Sequence, residues 1–273
     1  MANAECQTFS AFGIWHSSLT WYIPAVDPAP PIIEPSPTAT ILPIDRAAAA
    51  LEVVLCSGFP TQIIIVIVLN GLGMKMRLAD GGLSPPFVFA LTLLDTLVLV
   101  GLVVFFLRAH RESFREQLLG WRPKAREVLF GMALIPASFL VVISVRDVVH
   151  LVAPWLRNVP HNPLQDLVRN RWEAVIFAFV VMIAGGVREE IQRGFVLRRF
   201  EQYLGGGTAG LVIFSALFGL GHLEQGRDIA LVTAILGAFW GGIYLRRRSI
   251  VGPMAAHAGF NLAQVVTFLI LGG

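Results

Sequence analysis

Cysteine is nearly missing from this chain. Its 273 residues include two, Cys6 and Cys56, whose surroundings share no metal-ligand or redox spacing, and this excludes a disulfide framework and a cysteine nucleophile. Charge is scarce as well: Asp, Glu, Lys and Arg make up 14% of the residues against 55% hydrophobic, and the mean hydropathy is +0.69. A soluble core of this length needs far less apolar surface. No run of about ten residues alternates apolar and polar side chains, which excludes a membrane β-barrel. No basic segment precedes a short apolar one at the N-terminus, so no cleaved signal peptide is expected.

What is present in their place is a series of long apolar stretches. Segments near 60–74, 86–107, 127–153, 172–197, 208–224, 228–245 and 249–272 are each long enough to cross the hydrocarbon core, and Ala47–Cys56 offers an eighth. A backbone facing lipid must satisfy its own hydrogen bonds, so these segments read as helices. The sequence predicts an all-α integral membrane protein, multi-pass, a bundle of seven to eight transmembrane helices. Residues 1–57 are read apart from it as a Pro-rich, extended or disordered tail, because Pro24, Pro28, Pro30, Pro31, Pro35, Pro37 and Pro43 exclude a helix there. Residues 58–171 then form the N-terminal transmembrane helices and 172–273 the functional core.

Three basic groups set the orientation. Arg108, Arg111, Arg115, Arg122, Lys124 and Arg126 follow the second span, Arg198 and Arg199 the fourth, and Arg246-Arg247-Arg248 the sixth. All fall on one side of a seven-span model, and the positive-inside rule makes that side cytoplasmic. The net charge of +3 therefore reports topology, and no nucleic-acid partner is expected.

Polar clusters interrupt three of the apolar segments: Arg188-Glu189-Glu190-Ile191-Gln192-Arg193, Phe218-Gly219-Leu220-Gly221-His222 and His257-Ala258-Gly259-Phe260-Asn261. Ionisable groups at membrane depth are expensive and mark sites by default. Gly205-Gly206-Gly207 should fold the fourth and fifth spans into a hairpin, with Glu189 16 residues before it and His222 15 after it. Glu189 lies nine residues in from Arg198, and His257 nine in from Arg248, which places both about 14 Å deep, near the middle of a core roughly 30 Å thick. Three helices thus bring polar groups to one plane.

Arg193 lies four residues from Glu189 and three from Glu190, so it can pair with either on the helix surface. The other carboxylate, desolvated, suits a general base. His222 and His257 with a nearby glutamate have the composition of a divalent metal site, zinc by preference. Taken singly, each histidine is more often a hydrogen-bonding link between helices, and the Glu and Arg residues a structural ion pair. Arg146, Asp147 and His150 belong to no motif and read as a local salt bridge or a lumen-facing pair.

These residues resemble the CPBP or Abi group of intramembrane proteases, the CAAX prenyl endopeptidase type II and bacteriocin-processing family. Its signature is Glu-Glu-x-x-x-Arg, Phe-x-x-x-His and His-x-x-x-Asn/Asp on three successive helices. Phe218 to His222 and His257 to Asn261 match in spacing and order, over roughly residues 172–273, and Leu119-Gly120-Trp121-Arg122-Pro123 is similar to the family's preceding loop. One departure stands out: only Ile191 and Gln192 separate the acidic pair from Arg193, where the family has three residues. Aligned on the acids, the base is Glu189 and Glu190 partners Arg193; aligned on the arginine, the family's first glutamate falls on Arg188 and its second on Glu189.

The resemblance implies an endopeptidase of a multi-pass bacterial cytoplasmic membrane protein, cutting a peptide or prenylated protein in or beside the bilayer. Glu189, Glu190, Arg193, His222, His257 and Asn261 would form its site. His222, His257 and Asn261 either hold a divalent metal or polarise the carbonyl, leaving a glutamate-only mechanism. Two other readings are a non-catalytic scaffold or immunity protein of the same fold and, with no internal repeat to support it, a secondary transporter.

Overall fold

The computed structural model describes residues 41–160 and 162–271. Among them it is all-α, with a single isolated bridge between Arg77 and Leu83 and no strand. The helices are α1 (Pro43–Leu55), α2 (Phe59–Gly71), α3 (Pro85–Ala109), α4 (Lys124–Val152), α5 (Arg171–Val181), α6 (Glu189–Tyr203), α7 (Gly207–Leu220), α8 (Arg227–Arg247) and α9 (Val251–Leu271). A π-helical stretch, Met182–Arg188, joins α5 to α6, and another, Arg115–Leu119, precedes α4.

Each segment expected to span contains a helix among the described residues. Four helices, α3, α4, α8 and α9, are long and apolar enough to cross a membrane alone, and α1 with α2 forms a fifth span bent by 43°. The bend falls at Gly58, whose φ of +89° is a left-handed conformation that glycine adopts at little cost. The fourth expected span is the α5, π-helical and α6 sequence, and the fifth is α7, only 14 residues long. The tail assigned to residues 1–57 needs one correction. Pro43 is the first residue of α1, a position where proline's missing N–H would have no helical partner anyway and its fixed φ suits the helix. The remainder of that expectation, residues 1–40, lies outside the described residues.

Unlike a soluble protein, the bundle is apolar on its outer surface as well as in its core. Exposed positions on the outer helices are Ile63, Ile64, Ile67, Leu97, Phe105, Leu140, Val175 and Phe179, side chains that lipid accommodates. By contrast α6 is the central helix and the most polar one: Glu190, Gln192, Arg193 and Arg199 on it are all buried. It turns back into α7 through Gly205 and Gly206, both at positive φ, which completes the expected hairpin.

The three basic groups meet at one end of the bundle, as their spacing predicts, and there they are held by acids. Arg199 donates to Glu52 of α1 at 2.6 Å and pairs with Glu112 at 2.8 Å. Arg198 and Arg248 both reach Glu201. Arg247 donates two hydrogen bonds to Glu127, at 2.6 and 3.0 Å, and lies over the Phe130 ring. At the other end His150 meets Asp228 at 2.9 Å, tying α4 to α8, while Arg146 and Asp147 form an exposed pair at 3.7 Å.

Glu127 is 1% exposed, so replacing its partner strands a buried charge. Arg247→Met should destabilise the protein by about 3–5 kcal/mol, read as a lower melting temperature in detergent. Glu127→Leu added to it should recover most of the loss, since removing both charges leaves nothing uncompensated.

Candidate active site

The site is built where α6 enters from the π-helical stretch. A π turn adds a residue per turn and shifts the side-chain register, and here it ends at Arg188, immediately before Glu189 and Glu190. Close approach of α9 to this stretch is permitted by glycine: a Cβ on Gly186 would run into Ala258, with the Ala258 Cα at 2.8 Å and its backbone nitrogen at 3.0 Å, and one on Gly185 would overlap the Asn261 amide.

Glu190 and Arg193 form a buried ion pair, each side chain 1% exposed. Removing such charges from water is tolerable only if the rest of their surroundings is favourable. The guanidinium carbon of Arg193 lies 4.9 Å from the Phe218 ring centre, 5.7 Å from Phe214 and 5.8 Å from Trp240, so rings from α7 and α8 face its remaining N–H groups. The same Glu190 oxygen accepts from His257 Nδ1 at 2.8 Å. Trp240 stacks on the His257 ring with centres 3.8 Å apart. Thus α6, α7, α8 and α9 are joined through one pair of charges.

Glu189 has a different environment. Its side chain is 17% exposed, 3.7 Å from His257 Nε2 on one side and 3.7 Å from Arg188 Nη1 on the other, beyond hydrogen-bonding distance from both. It lines two cavities. The first, about 200 Å³, lies between the Ser57–Phe59 corner, Phe214, Phe218 and His222; the second, about 170 Å³, lies among Leu91, Thr92, Asp95 and Ala184. Gln62, Arg188 and Glu189 belong to the walls of both.

His222 stands one residue past the Gly221 that caps α7, not inside a membrane helix as its motif was read. The helix ends at Leu220, and Gly219, where a Cβ would run into Ala234, lets it pack closely on α8. The ring donates from Nδ1 to the Phe218 carbonyl at 2.9 Å, which leaves Nε2 of the neutral ring as an acceptor. Of Glu189, His222, His257 and Asn261, the first two line the first cavity. His257 instead sits behind Glu189, and Asn261 donates to the Val181 carbonyl at 3.3 Å, fastening the end of α5 to α9.

The sequence reading gave no role to Asp95 or Arg188. Asp95, buried on α3, accepts from Arg188 Nη2, from the Thr61 hydroxyl and, at 3.3 Å, from Gln62. It is the only ionisable residue between Pro85 and Leu107, a signal of the kind that marked the other clusters.

A resident metal needs ligands that converge. Both histidines donate from Nδ1 and keep Nε2 free, as zinc ligands do. Among the described residues, however, no three His, Cys, Asp or Glu side chains gather as a ligand set, whereas structural and catalytic zinc sites both use at least three protein ligands. Asn261, the third residue named for that role, has turned to the Val181 carbonyl. The donor set does not fit a bound metal, and no step is routed through one.

The contact between the π-helical stretch and α9 offers a test of how closely the site is packed. Gly186→Ala should force these backbones apart, costing about 1–3 kcal/mol, and should lower turnover by stretching the Glu190 to His257 contact. Gly242→Ala, where an added Cβ has nothing within 4 Å, should change neither. Melting temperature and turnover per folded protein check both variants.

Residues 171–263, which are 93 of 273, match the model described as type II CAAX prenyl endopeptidase Rce1-like. No curated protein and no solved structure matches. The matched residues include the acidic pair, Arg193, both histidines and Asn261. Over residues 171–263, about a third of the chain, the protein is therefore similar to the Rce1-like family of type II CAAX prenyl endopeptidases.

Proposed function

We propose that this membrane protein is an intramembrane endopeptidase in which Glu189 activates the attacking water. One observation carries the reading. Of the two adjacent acids, Glu190 is engaged by Arg193 and His257, while Glu189 makes no hydrogen bond among the described residues and lines both cavities. A carboxylate committed to a buried arginine is a poor base, and one whose oxygens are open to a cavity is better able to take a proton from water.

The step assigned to the site is hydrolysis of a peptide bond. The water oxygen bonds to the carbonyl carbon as its proton passes to Glu189, and the C=O pair moves onto the carbonyl oxygen. Collapse breaks the C–N bond, and the proton on Glu189 passes to the departing nitrogen. His222, in the wall of the first cavity with Nε2 as an acceptor, is placed to take a substrate N–H. Arg193 and His257 hold Glu190, and through it the first turn of α6. The matched family's description makes CAAX-type prenylated peptides the first substrates to try.

Glu189→Gln should lower turnover at least 100-fold, the usual scale of a lost general base, with yield and melting temperature close to wild type. Glu190→Gln should chiefly destabilise, because Arg193 loses its carboxylate partner. Purified protein assayed on prenylated and unprenylated peptides reads the first effect, and thermal unfolding the second. The reverse pattern would make Glu190 the base.

The incomplete donor set generates a separate expectation. Protein stripped with a chelator should retain full activity, and elemental analysis should find no stoichiometric metal. Metal that is lost on His222→Ala or His257→Ala together with activity would overturn the metal-free mechanism.

A further inference from the structure

An accounting of hydrogen-bond donors around Glu189 leaves one gap. When water adds to a carbonyl, the oxygen becomes an oxyanion and needs a donor already aimed at it. The motif residues point their donors elsewhere: His257 Nδ1 to Glu190, His222 Nδ1 to the Phe218 carbonyl, and one amide N–H of Asn261 to Val181, while Asn261 itself stands outside both cavity walls. Arg193 is enclosed by aromatic rings.

Arg188 is the cation left. Its side chain is 9% exposed, lines both cavities and is anchored through Nη2 to Asp95. Nη1 makes no hydrogen bond among the described residues and lies 3.7 Å from the Glu189 carboxylate. Nε is buried without a partner. A guanidinium fixed at one nitrogen by a carboxylate presents its other donors in a set plane. Asp95 is held in turn by Thr61 and Gln62 of α2, and the corner at Gly58 comes within 3.1 Å of Arg188 Nη2, measured from where a Cβ would stand.

We propose that Arg188 is a further catalytic residue, donating from Nη1 to the carbonyl oxygen of the bond being cut, and that Asp95 is its positioning residue. This rests on Glu189 being the base. The N-terminal half of the chain, outside the matched segment, then contributes directly to the reaction by aiming Arg188. Without the Asp95 charge the guanidinium turns to the nearest other carboxylate, Glu189, and both groups are withdrawn from the substrate.

The experiment measures kcat and KM per folded protein for Asp95→Asn, Asp95→Glu and Arg188→Lys, with Glu189→Gln and melting temperatures alongside. Asp95→Asn should lower kcat 10- to 100-fold with KM nearly unchanged, the mark of an interaction made in the transition state. Asp95→Glu should recover much of that loss. A packing role for Asp95 predicts the opposite ranking, because asparagine has the shape of aspartate and glutamate is larger. Arg188→Lys keeps a cation for Asp95, so it should fold, but one ammonium cannot serve Asp95 and the substrate together, and kcat should fall at least 10-fold. If Glu189→Gln is inactive while Arg188→Lys and Asp95→Asn keep wild-type kcat, the Arg188 proposal is wrong and the base assignment stands. If Glu189→Gln is active, the base assignment itself fails. Should Asp95→Asn not fold, Arg188→Lys alone decides.

Discussion

The buried pair of Glu190 and Arg193 is the constraint around which the site is arranged. Two opposite charges inside a membrane bundle need favourable surroundings, and here these come from three neighbouring helices. Phe214 and Phe218 of α7 and Trp240 of α8 face the guanidinium, and His257 of α9 donates to the carboxylate. No one of these elements can shift without exposing a charge to an apolar neighbour. The pair thereby fixes where α6 stands, and with it where the adjacent Glu189 points.

A second consequence is the division of labour between adjacent acids. Successive residues on a helix point about 100° apart, so when Glu190 faces the ion pair Glu189 must face elsewhere. The elsewhere is the meeting point of two cavities. The shortened interval between the acids and Arg193, set against the family pattern, becomes intelligible in this light. Glu190 and Arg193 are three residues apart and paired, a helical spacing that suits an ion pair, and Glu189 is released from it.

The rest of the bundle serves this arrangement in less specific ways. Small residues let α9 lie close against the π-helical stretch, with Gly186 at Ala258 and Gly131 of α4 at Gly252 and Ala255. Ion pairs at the basic end, Arg247 with Glu127 and Arg199 with Glu52 and Glu112, tie helices that lipid alone would not hold together, because apolar helix surfaces gain little by leaving lipid for one another. The most polar helix lies at the centre and the most apolar faces lie outside.

Composition and apolar run length alone determined that the chain is helical and membrane-bound, because a lipid-facing backbone has few other solutions. Local spacing determined the α6 to α7 hairpin at Gly205 and Gly206, the meeting of the basic groups, and the motif residues, since an ionisable group in an apolar run stands out wherever it occurs. Pro43 was misread for want of context: proline stops a helix from within but begins one well. What only the tertiary structure decided was partnership. That Glu190 and not Glu189 takes Arg193 depends on rings from α7 and α8; that Asn261 turns to Val181 depends on the π-helical stretch; that Asp95 holds Arg188, 93 residues away, depends on how α3 packs beside α6. Sequence spacing encodes the neighbours of a residue along its own helix, while the charge that neutralises it comes from another helix, and only packing chooses which.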